Sequence, residues 1–150
     1  MTELLRRVGH TRWFVAVARR AAPPLDRFLH QRTGGRLHAS TLPTLLLTTT
    51  GHRTGLPRTV PLAYVREGDR LAVVGSNFGG TGQPAWSDNL LANPSARVQV
   101  GPHATPVHAR LATAEERTCF WPAFTAMWPA YDTYVIRAGA AGRDVRLFVL

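Results

Sequence analysis

The chain has 150 residues, 45% of them hydrophobic and 18% charged, the make-up of one globular domain with a core of its own. Its formal net charge is +9 and every cation is an arginine. So basic a chain calls for an anionic partner: nucleic acid, anionic lipid or a multiply anionic small molecule. The single cysteine excludes an internal disulfide framework and suits a reducing, cytoplasmic setting. No apolar run approaches the ~20 residues that span a bilayer. The run 13–18 ends at Arg19-Arg20, too short and too soon charged for a secretory signal.

Residues 3–22 read as a helix. Leu4, Leu5, Val8, Trp13, Phe14 and Val17 supply its apolar face, and Arg6, Arg7, Arg12, Arg19 and Arg20 a basic one. Pro23-Pro24 stops it and opens a short second helix over 25–31, which Gly34-Gly35 closes. Residues 1–36 are thus an N-terminal basic helical segment of a single domain, 1–150. Such a segment packs across its domain with its arginines in water, or lies on an anionic membrane surface. Its arginines are also suited to an anionic ligand tail.

From residue 45 the pattern turns to strands. Strands are expected over 45–50 and 59–65, with Pro61 marking an edge or a bulge. Glu67-Gly68-Asp69-Arg70 is a tight hairpin signal before a third strand over 71–75. A glycine-rich loop over 76–84 leads into a short helix over 86–92, stopped by Asn93-Pro94. A further hairpin joins 97–100 to 105–111 around Gly101-Pro102. Thr113 and Glu116 form a capping box, so a helix starts there and runs to about Phe120. An aromatic-rich helical stretch punctuated by Pro122 and Pro129 follows, and a last strand spans 144–150. About six strands joined by short turns favour an antiparallel sheet curled into a barrel, in an α+β fold with flanking helices.

Chemistry is expected at two turns. The first, Thr50-Gly51-His52-Arg53-Thr54-Gly55-Leu56-Pro57-Arg58, links two strands. Its glycines allow positive φ and close approach to a ligand, and its arginines are forked donors for phosphate or carboxylate. A solvated hairpin turn is the plain alternative. No nucleotide P-loop is present, since the chain has no lysine. The second turn, Ser76-Asn77-Phe78-Gly79-Gly80, ends a strand ahead of a helix and can offer backbone amides to an anion or a carbonyl-rich ring. Trp86 and Asn89 lie three apart on the helix that follows: the one covers an aromatic ligand or packs in the core, the other bonds to backbone or ring. Trp128, Tyr131 and Tyr134 recur every three residues as an aromatic stripe, either core or pocket wall. Cys119 reads as a core side chain. The six histidines are scattered, so no metal site is expected. With no acid–base pair and no metal site, any chemistry belongs to a bound cofactor. The arginines are too dispersed to favour nucleic acid.

Taken together, Thr48-Thr49-Thr50-Gly51-His52-Arg53-Thr54-Gly55-Leu56-Pro57-Arg58, Pro61-Leu62, Ser76-Asn77-Phe78-Gly79-Gly80 and Pro84-Ala85-Trp86 with Asn89-Leu90 and Ala92-Asn93-Pro94 resemble the deazaflavin-dependent nitroreductase family. These are split β-barrel proteins that use coenzyme F420, and many are quinone reductases. The resemblance implies that Arg53, Thr54, Gly55 and Arg58 hold the cofactor phosphate. It places Ser76, Asn77, Gly79 and Gly80 along the deazaflavin edge, with Trp86 and Asn89 finishing the pocket. Thr50, Gly51, Pro61 and Phe78 stand in the same blocks and are expected to bind cofactor too. Trp128, Tyr131 and Tyr134 match the segment on the substrate side. The implied reaction passes a hydride from the reduced deazaflavin to a quinone, enone or nitroaromatic. Ser76, Tyr131 and Tyr134 are the candidate catalytic donors to the oxygen that gains charge. The cofactor's glutamate tail gives the arginine excess its anionic partner. A non-catalytic deazaflavin carrier or sensor, and a flavin mononucleotide enzyme on the same barrel, remain alternatives. Two departures from relatives bear on the substrate: Ser87 stands where many have an aromatic residue, and Trp128 where some have a tyrosine.

Overall fold

The computed structural model describes residues 42–150; the helices expected over 3–22 and 25–31, with any contact to membrane or ligand tail, lie outside the described residues. Seven strands make one antiparallel sheet: β1 (Thr44–Thr50), β2 (Pro57–Glu67), β3 (Arg70–Val74), β4 (Ser95–Val100), β5 (His103–His108), β6 (Arg110–Leu111) and β7 (Leu147–Val149). Their order is β5-β4-β1-β2-β3-β7-β6. Three helices complete the described part: α1 (Ala85–Ala92), α2 (Ala114–Met127) and α3 (Ala130–Ala140).

The sheet order forces a curled shape. Strands β5 and β6 are its two edges, yet only Ala109 separates them in the chain. A flat sheet cannot meet that constraint, so the sheet bends until its edges adjoin. Ala109 at the corner is buried, and its N–H donates to the Pro94 carbonyl at 2.8 Å. This corner is why seven strands appear where six are expected: the stretch 105–111 divides and serves both edges.

Strand β2 carries the split of the barrel. Its residues 57–63 pair with β1 and its residues 64–67 with β3. Pro61 therefore lies where β2 has a single partner, opposite Leu46. That suits a residue with no N–H to give to a second neighbour.

Alternation along the strands builds two cores. Leu71 and Val73 of β3 and Phe148 of β7 point into the barrel with Leu45, Leu47, Trp86, Leu90 and Val98. Ala72, Val74, Leu147 and Val149, one residue out of phase, pack instead under α2 and α3 against Phe120, Phe124, Tyr131 and Tyr134. Helix α2 opens with the expected capping box, Thr113 Oγ1 accepting from the Glu116 N–H at 3.2 Å and Glu116 Oε2 from the Thr113 N–H at 3.0 Å. It does not end near Phe120. It runs through Pro122 to Met127, held by Phe120 and Phe124, one turn apart and both buried. Cys119 is a correction: it is exposed, its Sγ 3.7 Å from Glu67 Oε1. It lies on the outer side of α2, next to the buried Phe120. None of the described helices is long and apolar enough to cross a membrane.

Candidate active site

The turn between β1 and β2 closes on itself. The Gly51 N–H donates to the Leu56 carbonyl at 2.8 Å, and the Gly55 N–H returns to the Gly51 carbonyl at 2.7 Å. Gly55 has φ +68°, open to glycine at no steric cost. Gly51 is required for space, since a Cβ there would lie 2.8 Å from Thr54 Oγ1 and 3.1 Å from the Leu56 carbonyl oxygen. With its backbone closed inward, the turn presents Arg53, Thr54 and Arg58 to solvent; Thr50 is half-buried at its base, and Pro61, also half-buried, lies four residues beyond Pro57 in β2, opposite Leu46. Arg70, Arg110 and Arg146 each meet a carboxylate. Arg53 and Arg58 meet none among the described residues, which leaves two forked cations aimed outward from one rigid turn.

Asn89 of α1 holds that turn. Its Oδ1 accepts from the His52 N–H at 3.0 Å and lies 2.8 Å from His52 Nδ1. Its Nδ2 donates to Thr49 Oγ1 at 3.0 Å. Both Asn89 and Thr49 are buried. Asn89 thus spends most of its amide on the protein and positions the arginine turn. Trp86, one turn earlier on α1, is 6% exposed and packs edge-on to Phe148 inside the barrel, with ring centroids 5.6 Å apart. Ser87 is fully buried, and its hydroxyl accepts from Arg146 at 3.0 Å while Asp88 pairs with the same guanidinium at 2.8 Å. Helix α1 is therefore anchored to the barrel through Trp86, to Arg146 through Ser87 and Asp88, and to the arginine turn through Asn89.

The second turn contains a one-turn 3₁₀ helix, Asn77–Gly79. Asn77 and Phe78 have φ +45° and +52°, and Phe78 is a bulky residue in the left-handed region. Gly79, φ +71°, is pressed onto α3: a Cβ would lie 2.9 Å from the Arg137 Cβ and 3.1 Å from the Tyr134 Cα. The Gly79 and Gly80 N–H groups bond back to the Ser76 and Asn77 carbonyls. The N–H groups of Ser76, Asn77 and Phe78 have no acceptor among the described residues, nor has the Ser76 hydroxyl a partner. Right-handed Ser76 followed by positive-φ Asn77 turns successive N–H groups toward one point, the geometry of an anion-binding nest.

Helix α3 brings two phenols beside this turn. Tyr134 meets Phe78 edge-on at 5.8 Å and Tyr131 at 6.1 Å, and its Oη accepts from Trp128 Nε1 at 3.3 Å. Trp128 itself caps α2 and lies outside the helix that carries the tyrosines. Burial pushes both phenols above their ordinary range; for Tyr134 the Trp128 hydrogen bond and the Arg137 charge pull partly back. The Tyr131 hydroxyl has no hydrogen-bond partner among the described residues, although the residue is only 8% exposed. A buried phenol so placed is short of a bond that a ligand can supply.

The structure thus brings the arginine turn to α1, and the Ser76–Gly80 turn to Tyr134. Two concavities, one of about 340 Å³ between the start of α2 and residues 144–147 and one of about 220 Å³ lined by Arg66, Leu71, Val98 and His103 among others, include none of the candidate residues. Among the described residues no three metal-ligating side chains come together. Sequence reasoning missed Thr49 and His52, partners of Asn89, and above all Arg143. The Arg143 guanidinium binds the carbonyls of Gly75, Ser76 and Gly80. Nothing periodic marks it; its only signal is an arginine directly after a helix-ending Gly142.

A family model described as F420H(2)-dependent quinone reductase matches residues 18–150. The chain belongs to that family. An F420H(2)-dependent quinone reductase of Mycobacterium tuberculosis is 46% identical over 68 residues, 45% of this chain and 46% of that protein. The aligned stretch thus spans about half the length of that relative. A solved F420-H2 dependent reductase is 34% identical with a TM-score of 0.64, covering 75% of this chain and 97% of that one. A further solved structure, described as a domain-swapped dimer, is also 34% identical with a TM-score of 0.66, covering 84% of this chain and 92% of that one. Within this quinone reductase family, the split barrel expected from the sequence is the observed fold.

Proposed function

We propose that this chain is an F420H2-dependent quinone reductase in its own right, with quinones as first acceptors and enones and nitroaromatics as a wider class. The observation that carries the reading is the pair Arg53 and Arg58, exposed on a turn locked by Asn89 and meeting no carboxylate among the described residues. Three features fit a bound deazaflavin. The two guanidinium groups suit its phosphate; the N–H groups of Ser76, Asn77 and Phe78, without an acceptor among the described residues, suit its oxygen-bearing edge; and the Tyr131 phenol, without a partner among the same residues, suits an acceptor oxygen. The cofactor, when bound, supplies a hydride, two electrons in one step.

The protein's part is binding, orientation and hydrogen bonding. Arg53, Thr54, Gly55 and Arg58 would hold the anionic end with charge-assisted bonds. Thr50 and Gly51 form the base of that turn, and Pro61 would meet the cofactor farther along β2. Ser76, Asn77, Phe78, Gly79 and Gly80 would align the ring. Trp86 and Asn89 act from behind, one as barrel packing and the other as the clamp on the turn. Trp128, Tyr131 and Tyr134 would bound the acceptor side. Ser76, Tyr131 and Tyr134 are the proposed donors to the acceptor oxygen as its charge grows. Raised phenol pKa values keep both tyrosines neutral, and so able to donate, throughout the physiological range.

Titration of the purified protein with oxidised coenzyme F420, read by tryptophan quenching, tests the binding half. Micromolar affinity that Arg53→Ala weakens about tenfold, roughly 1.4 kcal/mol for a charge-assisted contact, is the expected outcome. Absence of binding in the wild type would refute it.

A further inference from the structure

Arg143 is a buried arginine whose work is done on backbone. Its Nε donates to the Gly80 carbonyl at 2.8 Å, Nη1 to the Gly75 carbonyl at 2.9 Å and Nη2 to the Ser76 carbonyl at 2.6 Å. Nη1 also reaches Gln83 Oε1 at 3.2 Å, and the Gln83 amide in turn donates to the Asp144 carbonyl at 2.9 Å. The residue is only 7% exposed. Withdrawing a guanidinium from water is costly unless its donors are matched, and here the planar fork is matched to the start and the end of one loop.

That loop is one that does not rest in this shape unaided. Asn77 and Phe78 are both held at positive φ, a strain for Phe78 in particular. Gly79 is wedged against α3. Bonding of the Gly75, Ser76 and Gly80 carbonyls on the inner side is what allows the outer side to present the N–H groups of Ser76, Asn77 and Phe78. We infer that Arg143 is a positioning residue: its guanidinium sets the conformation of residues 75–80 in which those N–H groups and the Ser76 hydroxyl are left for a ligand. The ligand class is an anion or a ring bearing carbonyl oxygens. The binding arm of this inference rests on the proposed function; the conformational arm does not.

Lysine keeps the charge but offers its donors from a single point, so it cannot span three carbonyls. Amide hydrogen exchange and coenzyme F420 titration are therefore compared in wild type, Arg143→Lys and Arg53→Ala. The expected result for Arg143→Lys is exchange at Gly79 and Gly80, the amides of this loop that bond back to the Ser76 and Asn77 carbonyls, faster by about tenfold or more, with strands β1 and β4 unchanged, as for a locally loosened segment. Its affinity for the cofactor falls by a similar factor. Arg53→Ala weakens binding without changing exchange at Gly79 and Gly80, which separates contact from positioning. Unchanged exchange in Arg143→Lys overturns the inference, whatever happens to affinity. Faster exchange with unchanged affinity overturns the binding arm. If Arg143→Lys does not fold, Arg143→Gln decides: its amide offers two N–H donors to the three carbonyls that the guanidinium spans, and unchanged exchange at Gly79 and Gly80 in that variant overturns the inference. A wild type that binds no F420 refutes the proposed function and leaves the exchange comparison standing.

Discussion

Arg53 and Arg58 show how single side chains acquire function from their surroundings. Each is an ordinary surface arginine by composition, and a surface arginine usually contributes little to stability. What sets them apart is that they share one closed turn clamped by Asn89 and meet no carboxylate among the described residues. Substituting either should therefore weaken cofactor binding while leaving the melting temperature close to that of the wild type; a thermal scan beside the titration checks both. The tyrosines make a second prediction at this scale. Burial disfavours the phenolate, so the folded-state values of Tyr131 and Tyr134 lie above those of the unfolded chain. Tyrosinate absorbance should accordingly lag the ordinary phenol titration and appear in full only when alkali unfolds the protein. Arg53 and Arg58 stood out in the sequence as forked cations on a glycine turn, and the tyrosines by their spacing of three; their roles come from the resemblance and belong to the proposed function. Arg143 did not stand out, because a guanidinium that binds backbone carbonyls leaves no pattern among side chains. Asn89 was legible as a position, but its main partners, Thr49 and His52, are far away in sequence.

At the scale of elements, local signals and long-range packing divide the explanation. Hairpins, caps and glycine turns are local, and the strands and the start of α2 were readable for that reason. The end of α2 was not, because burial of Phe120 and Phe124 carries the helix past Pro122. The capping box makes a pH prediction. Arg110 hydrogen bonds, with the Thr113 N–H, hold the Glu116 carboxyl down to about 2 from its ordinary 4.5. A depressed folded-state value means that the stabilisation is complete above about 4.5 and is lost as pH falls toward about 2. The melting temperature should decline across that window, and Glu116→Gln should remove this part of the decline. Thr113→Ala should cost about 1 kcal/mol, as N-cap losses do. Asn89→Ala should cost more, about 1–3 kcal/mol, because it strands the buried Thr49 hydroxyl and the His52 N–H. Chemical denaturation of the two variants side by side checks the order.

For the molecule as a whole, the barrel follows from one corner. With Ala109 alone between the two edge strands, curling is compulsory, and curling brings the β1–β2 turn against α1. The sequence showed the hairpins but hid this closure, since a one-residue break between strands has no signature in composition or period. The net charge of +9 also acts at this scale. A phosphate-bearing, multiply anionic cofactor should bind more weakly as salt rises, because exposed charges are screened over about 8–10 Å at physiological ionic strength. The most direct test of the central claim is anaerobic steady-state oxidation of reduced F420 by a soluble naphthoquinone. Saturable turnover is expected, reduced by Arg53→Ala at limiting cofactor and by Tyr134→Phe at saturating cofactor. A protein that binds F420 yet oxidises none of it with any quinone would contradict the assignment as a reductase.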